Sequence, residues 1–264
     1  MSRQKGILKL VGTLNGKCYY QLNGQYIVRK AAGPSRARIN NDPAFINVKN
    51  NNQEFAAASQ LSKAIRLGLA DKANQFKYNY MASRLTGCCR KIIQKGSGTF
   101  GEREADLFNS PSELIGFQLN KDLEFHQLYN SKTKVTTNSH RNEISVQIPE
   151  SIANEHYRIP KKATHYQLTA AISCVSKLQW QPKIQAYQPT HPEHHTLGGI
   201  IESQPLALNT IYHHLNLQWQ SPTPKGIPTD VAMTTWLGIA YLKQQNDSFQ
   251  TFKTPKSMQC ISII

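Results

Sequence analysis

The residues most able to do chemistry in this 264-residue chain are nine histidines and five cysteines. His191, Glu193, His194 and His195 crowd into the run HPEHH. His213 and His214 form a second pair, and His165 stands apart. Imidazole and carboxylate are zinc-type ligands. Neither group, however, has the i,i+4 spacing that sets two ligands on one helix face, and HPEHH lies in a Pro-containing stretch. Solvated loop histidines are the reading, with no metal site expected. Cys174 with His165 would make a nucleophile–base pair, but nothing near them resembles a nucleophile elbow or an oxyanion loop. The glycines at 96, 98 and 101 sit in GSGTFG, which lacks the lysine of a phosphate-binding loop and does not follow a strand. Gly198–Gly199 reads as a turn. The expectation is therefore a protein that is not an enzyme and carries no cofactor.

The cysteines, Cys18, Cys88, Cys89, Cys174 and Cys260, are odd in number and scattered. They fit neither a disulfide framework nor zinc spacing. They read as reduced thiols, which suits the cytoplasm. No run of about 18 apolar residues marks a transmembrane helix, and Lys9 and Gly12 interrupt the apolar start that a signal peptide would need.

Charge is distributed very unevenly. Residues 1–103 hold 18 Lys and Arg against 4 Asp and Glu, a net +14, whereas residues 104–264 are almost neutral at +1. Such asymmetry points to a polyanion, nucleic acid first and an anionic membrane surface second. A solvated basic face, or one that docks on an acidic partner, would have the same composition.

The elements that must position these charges follow from pattern. Residues 6–14 and 17–29 read as strands joined at Asn15–Gly16, and Asn23–Gly24 repeats the hairpin signal. Lys5, Lys9, Lys17, Arg29 and Lys30 decorate this ribbon among Tyr19, Tyr20 and Tyr26. Residues 31–41 read as a loop carrying Arg36 and Arg38. Asp42 is an N-cap before Pro43 at the first helical position. The helix it opens is expected to run to about Leu69 on a stripe of Phe45, Val48, Phe55, Ala58, Leu61 and Ile65. A second helical segment, 76–95, sets Phe76, Tyr80, Leu85 and Ile92 on one side and Arg84, Arg90, Lys91 and Lys95 on the other. Two such helices would brace the ribbon.

Residues 96–110 read as a linker. Beyond it come short alternating runs at 116–120, 123–129, 143–148, 165–175, 183–187, 206–219, 234–242, 249–252 and 258–264. Residues 188–205 read as a long loop. Many short alternating strands predict an antiparallel β-sandwich, Ig-like or jelly-roll-like. The fold class is thus α+β: a basic ribbon-and-helix module over 1–103 and a sandwich domain over 104–264.

Several motifs together resemble those of an uncharacterised family of Bacteroidota proteins. They are Lys5–Gly6, Gly12–Thr13, Gly24 with Tyr26 and Arg29, Arg38–Ile39, Asn41–Phe45, Glu54–Phe55 and Ser83–Thr86, with Lys63 and Arg66. Echoes continue at Gly116–Asn120, Ala163–Leu168 and Leu237–Tyr241. The hairpin and the Asn/Pro joint are also similar to prophage-encoded proteins of unknown role. The chain departs from the family pattern after Phe45, where INVKN replaces a more basic run. The resemblance implies no activity.

Two functions follow as expectations. In the first, Lys5, Lys9, Lys17, Arg29, Lys30, Arg36, Arg38, Arg84, Arg90 and Lys91 hold the phosphates of DNA or RNA without reading bases closely. In the second, the chain is a structural subunit of a homo-oligomer, filament or phage-like particle, built by strand addition of the ribbon. Uncovered Ile7, Leu8, Leu10 and Val11 would favour the second.

Overall fold

Asn15–Gly16 and Asn23–Gly24 reverse the chain as predicted, each with both residues at positive φ (47° and 71°, then 49° and 76°). That geometry matches the right-handed twist of paired strands. The computed structural model describes residues 2–31, 33–152, 158–223 and 225–264. The chain is α+β and forms two compact units, Met1–Lys49 and Asn50–Ile264.

In the first unit, β1 (Ser2–Arg3), β2 (Gly12–Leu14), β3 (Lys17–Leu22) and β4 (Gln25–Lys30) form an antiparallel sheet in the order β1-β4-β3-β2. The strand expected over 6–14 shortens to β2, because residues 4–11 close on themselves. The Gln4 side chain bonds both the N–H and the carbonyl of Leu10, at 2.9 and 3.0 Å. Lys9 Nζ donates to the carbonyls of Gln4 and Gly6, both at 2.8 Å.

The expected loop 31–41 holds a short helix instead, α1 (Arg36–Asn41). Ser35 caps it, its side chain accepting from Arg38 N at 3.2 Å, a stop-and-start signal that the surrounding prolines mask in the sequence. Asp42 caps the following 3-10 turn Pro43–Phe45, accepting from Ala44 N at 3.0 Å. The helix α2 then runs Ile46–Gly68.

The second unit is built on two central strands, β7 (His165–Ser176) and β13 (Val231–Gln245), buried on both faces. The sheet order is β10-β7-β13-β14, with β10 at Gly198–Glu202 and β14 at Ser248–Ile263; β11 (Leu206–Ala207) also pairs with β7. Strand alternation sends even-numbered residues of β7 and odd-numbered residues of β13 to one core. There Tyr166, Leu168, Ile172, Leu237, Ile239 and Tyr241 meet the buried side of a second sheet. That sheet is β12-β6-β5, comprising Tyr212–Gln220, Glu143–Ser151 and Lys134–Thr137, and it supplies Ile144, Val146, Ile148, Leu217 and Trp219. The opposite residues, Ala171, Val175, Ala232 and Trp236, pack against helices.

Those helices are α2, α3 (Ala70–Phe76) and α4 (Met81–Gln94). Two facing antiparallel sheets are present, but one outer face carries a helical layer. A further hairpin, β8 (Leu178–Gln181) with β9 (Ala186–Pro189), completes the unit.

The boundary between units therefore falls at Lys49/Asn50, whereas the change in composition suggested 103/104. The buried stripe of α2 explains the difference. It consists of Ala57, Ala58, Leu61, Ala64 and Ile65, all in the core that contains Trp236 and Val175. Val48 and Phe55, expected in that stripe, are exposed.

The 96–110 stretch is a packed strap rather than a linker. Buried Glu54 accepts from Gly101 N at 3.0 Å and pairs with Arg103 at 3.5 Å. Tyr187 OH donates to the carbonyls of Gly101 and Arg103 at 3.1 and 2.9 Å. Ala105 and Leu178 exchange backbone hydrogen bonds.

Two expected β segments and one expected turn also differ. The 123–129 run contains the short helix α5 (Phe125–Leu128), whose first amide is capped by Gln118 Oε1 at 2.9 Å. Residues 116–120 form no named strand. They lie along β14, with Gly116 N and Leu119 N donating to the carbonyls of Cys260 and Met258, and so cover part of a sheet edge. Gly198–Gly199, expected as a turn within a loop, opens β10.

The glycine pair is there for proximity. A Cβ on Gly198 would stand 2.4 Å from Gly68 O, and one on Gly199 would stand 2.1 Å from Trp219 Nε1. Gly68 faces the same constraint, since a Cβ there would lie 2.3 Å from Ser173 Oγ and 2.7 Å from Ser173 Cα. Overpacking of this kind costs about 1–3 kcal/mol. Gly68→Ala should lower the free energy of unfolding by about that amount, read from the urea midpoint, whereas Gly87→Ala, where a Cβ meets nothing within 4 Å, should not.

Candidate nucleic-acid interface

The ten basic residues singled out in the sequence divide between the units. Lys5, Lys9, Lys17, Arg29, Lys30, Arg36 and Arg38 belong to the first, and Arg84, Arg90 and Lys91 to the second. The first unit carries nine Lys and Arg against a single acid, Asp42, in 49 residues.

Several of the ten are committed to the fold. Lys9 is bound to loop carbonyls, as above. Arg38 pairs with Asp42 at 3.2 Å and lies over the Phe45 ring at 5.1 Å. Arg84 donates to Gln118 O at 2.9 Å and stacks on Phe117 at 4.8 Å, and burial pushes its pKa down. Arg90 donates to Asn51 Oδ1 at 2.8 Å. Lys91 and Lys95 both face Glu113, at 3.6 and 3.1 Å, and the lysines hold that carboxyl below its ordinary pKa. The cationic side of α4 is thus largely a means of fixing the 107–118 segment.

Lys17, Lys30 and Arg29 are placed differently. Register pairs Lys17 directly with Lys30 across β3 and β4, so the two ammonium side chains share one face of the sheet. Tyr19, Val28 and Tyr26 follow along that face by alternation. Arg29 belongs to the opposite face, where its guanidinium lies 5.8 Å from the Tyr20 ring centroid. A concavity of about 650 Å3 is lined by Ser2, Asn15, Gly16, Lys17, Val28, Arg29 and Lys30. Among the described residues no acid is in an ion pair with Lys17, Arg29 or Lys30.

Sequence reasoning missed a second basic group, in the second unit. Lys63, Arg66 and Lys77 line a groove of about 790 Å3 together with Leu67, Asp71, Tyr78 and Tyr80. The helical period gave the first signal, since Lys63 and Arg66 fall on the face of α2 opposite its buried alanines. The kink after Gly68 that brings Lys77 beside them leaves no trace in composition.

The other candidate chemistry does not assemble. His165 and Cys174 lie on one strand, about 30 Å apart at a strand rise of ~3.3 Å per residue, and Cys174 is buried with its pKa raised to about 12. Gly101 N, in the loop that resembled a phosphate cradle, is occupied by Glu54. His191 Nε2 lies within hydrogen-bond distance of the Asp230 carboxylate, at 3.0 Å, and Glu193 lies 3.7 Å from both His191 and His194. Among the described residues no group of three or more His, Cys, Asp or Glu is arranged to hold a metal ion. No helix among them is long and apolar enough to cross a membrane.

No family model matches the chain, and no curated protein or solved structure matches it. The class rests on what the molecule itself presents: an α+β chain with a basic antiparallel ribbon unit and a helix-covered double-sheet unit.

Two measurements follow. Burial raises the Cys88 thiol to about 11, and it raises those of Cys89 and Cys260 further, so only half-buried Cys18 should react promptly with a maleimide at neutral pH. Mass spectrometry should find one adduct on the native chain and five after unfolding. Burial also pushes the His195 pKa below its ordinary 6.5. The folded state then binds fewer protons than the unfolded state between that lowered value and 6.5. The stability involved is present above pH 6.5 and is lost as pH falls through this window. Denaturation midpoints should decline there, and less so in His195→Gln.

Proposed function

We propose that the chain binds nucleic acid as a polyanion through its first unit, by phosphate contacts with little base readout. The observation that carries this reading is the Lys17–Lys30 pair. Like charges set directly opposite in an antiparallel pair are destabilising, and no acid among the described residues is in an ion pair with either lysine. A phosphate between the two ammonium groups would turn the repulsion into charge-assisted hydrogen bonds. Arg29 at the rim, and Lys5 and Arg36 elsewhere in the unit, add to the field that attracts a phosphate backbone. Tyr19 and Tyr26, on the same face as the lysines, offer ring planes against which bases stack.

One observation favours a second reading, a subunit that assembles through its ribbon into a homo-oligomer, filament or particle. The 4–11 loop points its apolar side chains outward, with Ile7 100%, Leu8 83% and Val11 75% exposed. Side chains of this size gain by leaving water, and β2 is an edge strand. The two readings are compatible, since a coat or filament protein can hold nucleic acid.

Lys17→Gln with Lys30→Gln should weaken binding of a labelled duplex at low salt by at least tenfold. It should also reduce the slope of log K against log salt by about two, roughly one for each phosphate that the variant leaves unneutralised. Anisotropy across a salt series reads both quantities, and a slope unchanged by the double substitution would overturn the reading. Light scattering on the same samples tests assembly: a defined oligomer that Leu8→Lys dissolves supports it, and a monomer at all concentrations removes it.

A further inference from the structure

We infer that the groove formed where α2 gives way to α3 and α4 is a nucleotide-binding site, taking a phosphate and an aromatic base together. The proposal rests on the polyanion reading for its class of ligand, but all its residues lie in the second unit. The helix α2 ends at Gly68, because the helix cannot continue while its last turn lies against β7 and β10. Ala70 takes a φ of 46°, and α3 turns away. Lys77 is extended, Tyr78 N donates to Leu119 O at 3.2 Å, and Met81 N donates to Tyr78 O as α4 begins. Buried Ala73 and Met81 form an apolar part of the groove wall.

Along this wall stand three cations that no acid pairs with among the described residues: Lys63, Arg66 and Lys77. Arg66 Nε is held by Ser62 O at 3.2 Å, its own helix's carbonyl, which aligns the guanidinium. Lys77 Nζ is steadied by Asn74 Oδ1 at 2.9 Å. Asp71 is the one acid lining the groove, so the local field is positive. Tyr78, Tyr80 and Leu67 are exposed beside the cations.

This combination selects among anions. Cations alone would suit any phosphate. Exposed aromatic planes beside them suit one that carries a flat base, because base–aromatic stacking and phosphate neutralisation then act on the same ligand. A volume of about 790 Å3 falls in the range of small-ligand clefts and admits either a free nucleotide or one or two nucleotides of a single strand. A membrane surface would be met better by a convex apolar patch than by a concave one with its apolar part set into the wall.

The test uses the full chain carrying Lys17→Gln and Lys30→Gln, so that the ribbon does not mask the groove. Fluorescein-labelled hexathymidylate is titrated at low salt, with thymidine monophosphate as competitor. Residual binding is expected, and Lys63→Gln with Lys77→Gln should reduce it about tenfold and lower the salt slope by about 1.4. Tyr78→Ala should reduce it about fivefold or more. Leu67→Glu, which removes no cation and sits on the exposed rim, should weaken it through repulsion while leaving the thermal midpoint unchanged. Efficient displacement by the monophosphate would assign the site to free nucleotide, and poor displacement to a strand; either outcome supports the proposal.

If the unaltered chain binds and the ribbon variant does not, the groove proposal is overturned and the ribbon reading stands. If the ribbon variant binds like the unaltered chain and the groove variants do not, the reverse holds. Binding to vesicles of equal parts phosphatidylcholine and phosphatidylserine, released by Leu67→Glu, with no binding of hexathymidylate, would overturn it in favour of a lipid surface.

Discussion

The close approach of α2 to the central sheet is the constraint on which the second unit depends. Gly68, Ser173 and Gly198 meet where helix and strands touch, and Ser173 Oγ donates to Ala64 O at 3.2 Å. Small residues here bring the backbones within contact distance, so that Leu61, Ile65 and Leu69 enter one core with the sheet residues Ala171, Val175 and Trp236. The same contact ends α2. The chain must leave the sheet at Gly68, and the turn that follows creates the groove lined by Lys63, Arg66 and Lys77. Packing and a candidate binding surface are therefore consequences of one local requirement for small side chains.

Around this contact the second unit is tied together by polar groups that are buried or partly buried. Glu54 holds the 96–105 strap, and Arg141 binds the carbonyls of Pro228, Val231 and Ile264, joining a turn to the start of β13 and to the C-terminal residue. Tyr129, Ser151 and Tyr166 form a hydroxyl chain inside the second core. The arrangements at Glu54 and Ser151 each satisfy a buried polar group that would otherwise cost about 1–3 kcal/mol. They also explain why part of the positive charge in residues 50–103 is already engaged: Arg84, Arg90 and Arg103 are occupied by Gln118, Asn51 and Glu54.

The first unit has the opposite character. Its sheet is small, its one buried hydrophobic residue among the described ones is Ile27, and most of its side chains face water. A surface with nine cations and one acid is costly to keep compact unless something neutralises it. That is why Lys17 opposite Lys30 weighs more in the functional reading than the total charge does.

Much of this was legible in the residues alone. Asn15–Gly16 and Asn23–Gly24 specified their turns because the residue types themselves permit positive φ. Asp42 specified a cap because its carboxylate reaches the next amide. The apolar and alternating runs at 143–148, 165–175 and 234–242, bounded by turn residues, marked strands because such patterns are local properties. Composition showed that the positive charge is concentrated at one end. What only the tertiary structure decided depends on partners distant in sequence. The 96–110 stretch became a strap because Glu54 and Tyr187 bind its backbone. Gly198–Gly199 opened a strand because α2 and Trp219 needed the space. The helices joined the second unit because their alanine stripe found Trp236 and Val175. Whether a given lysine or arginine faces an acid, a carbonyl or open water is likewise set by what folding brings beside it, and no spacing along the chain encodes that.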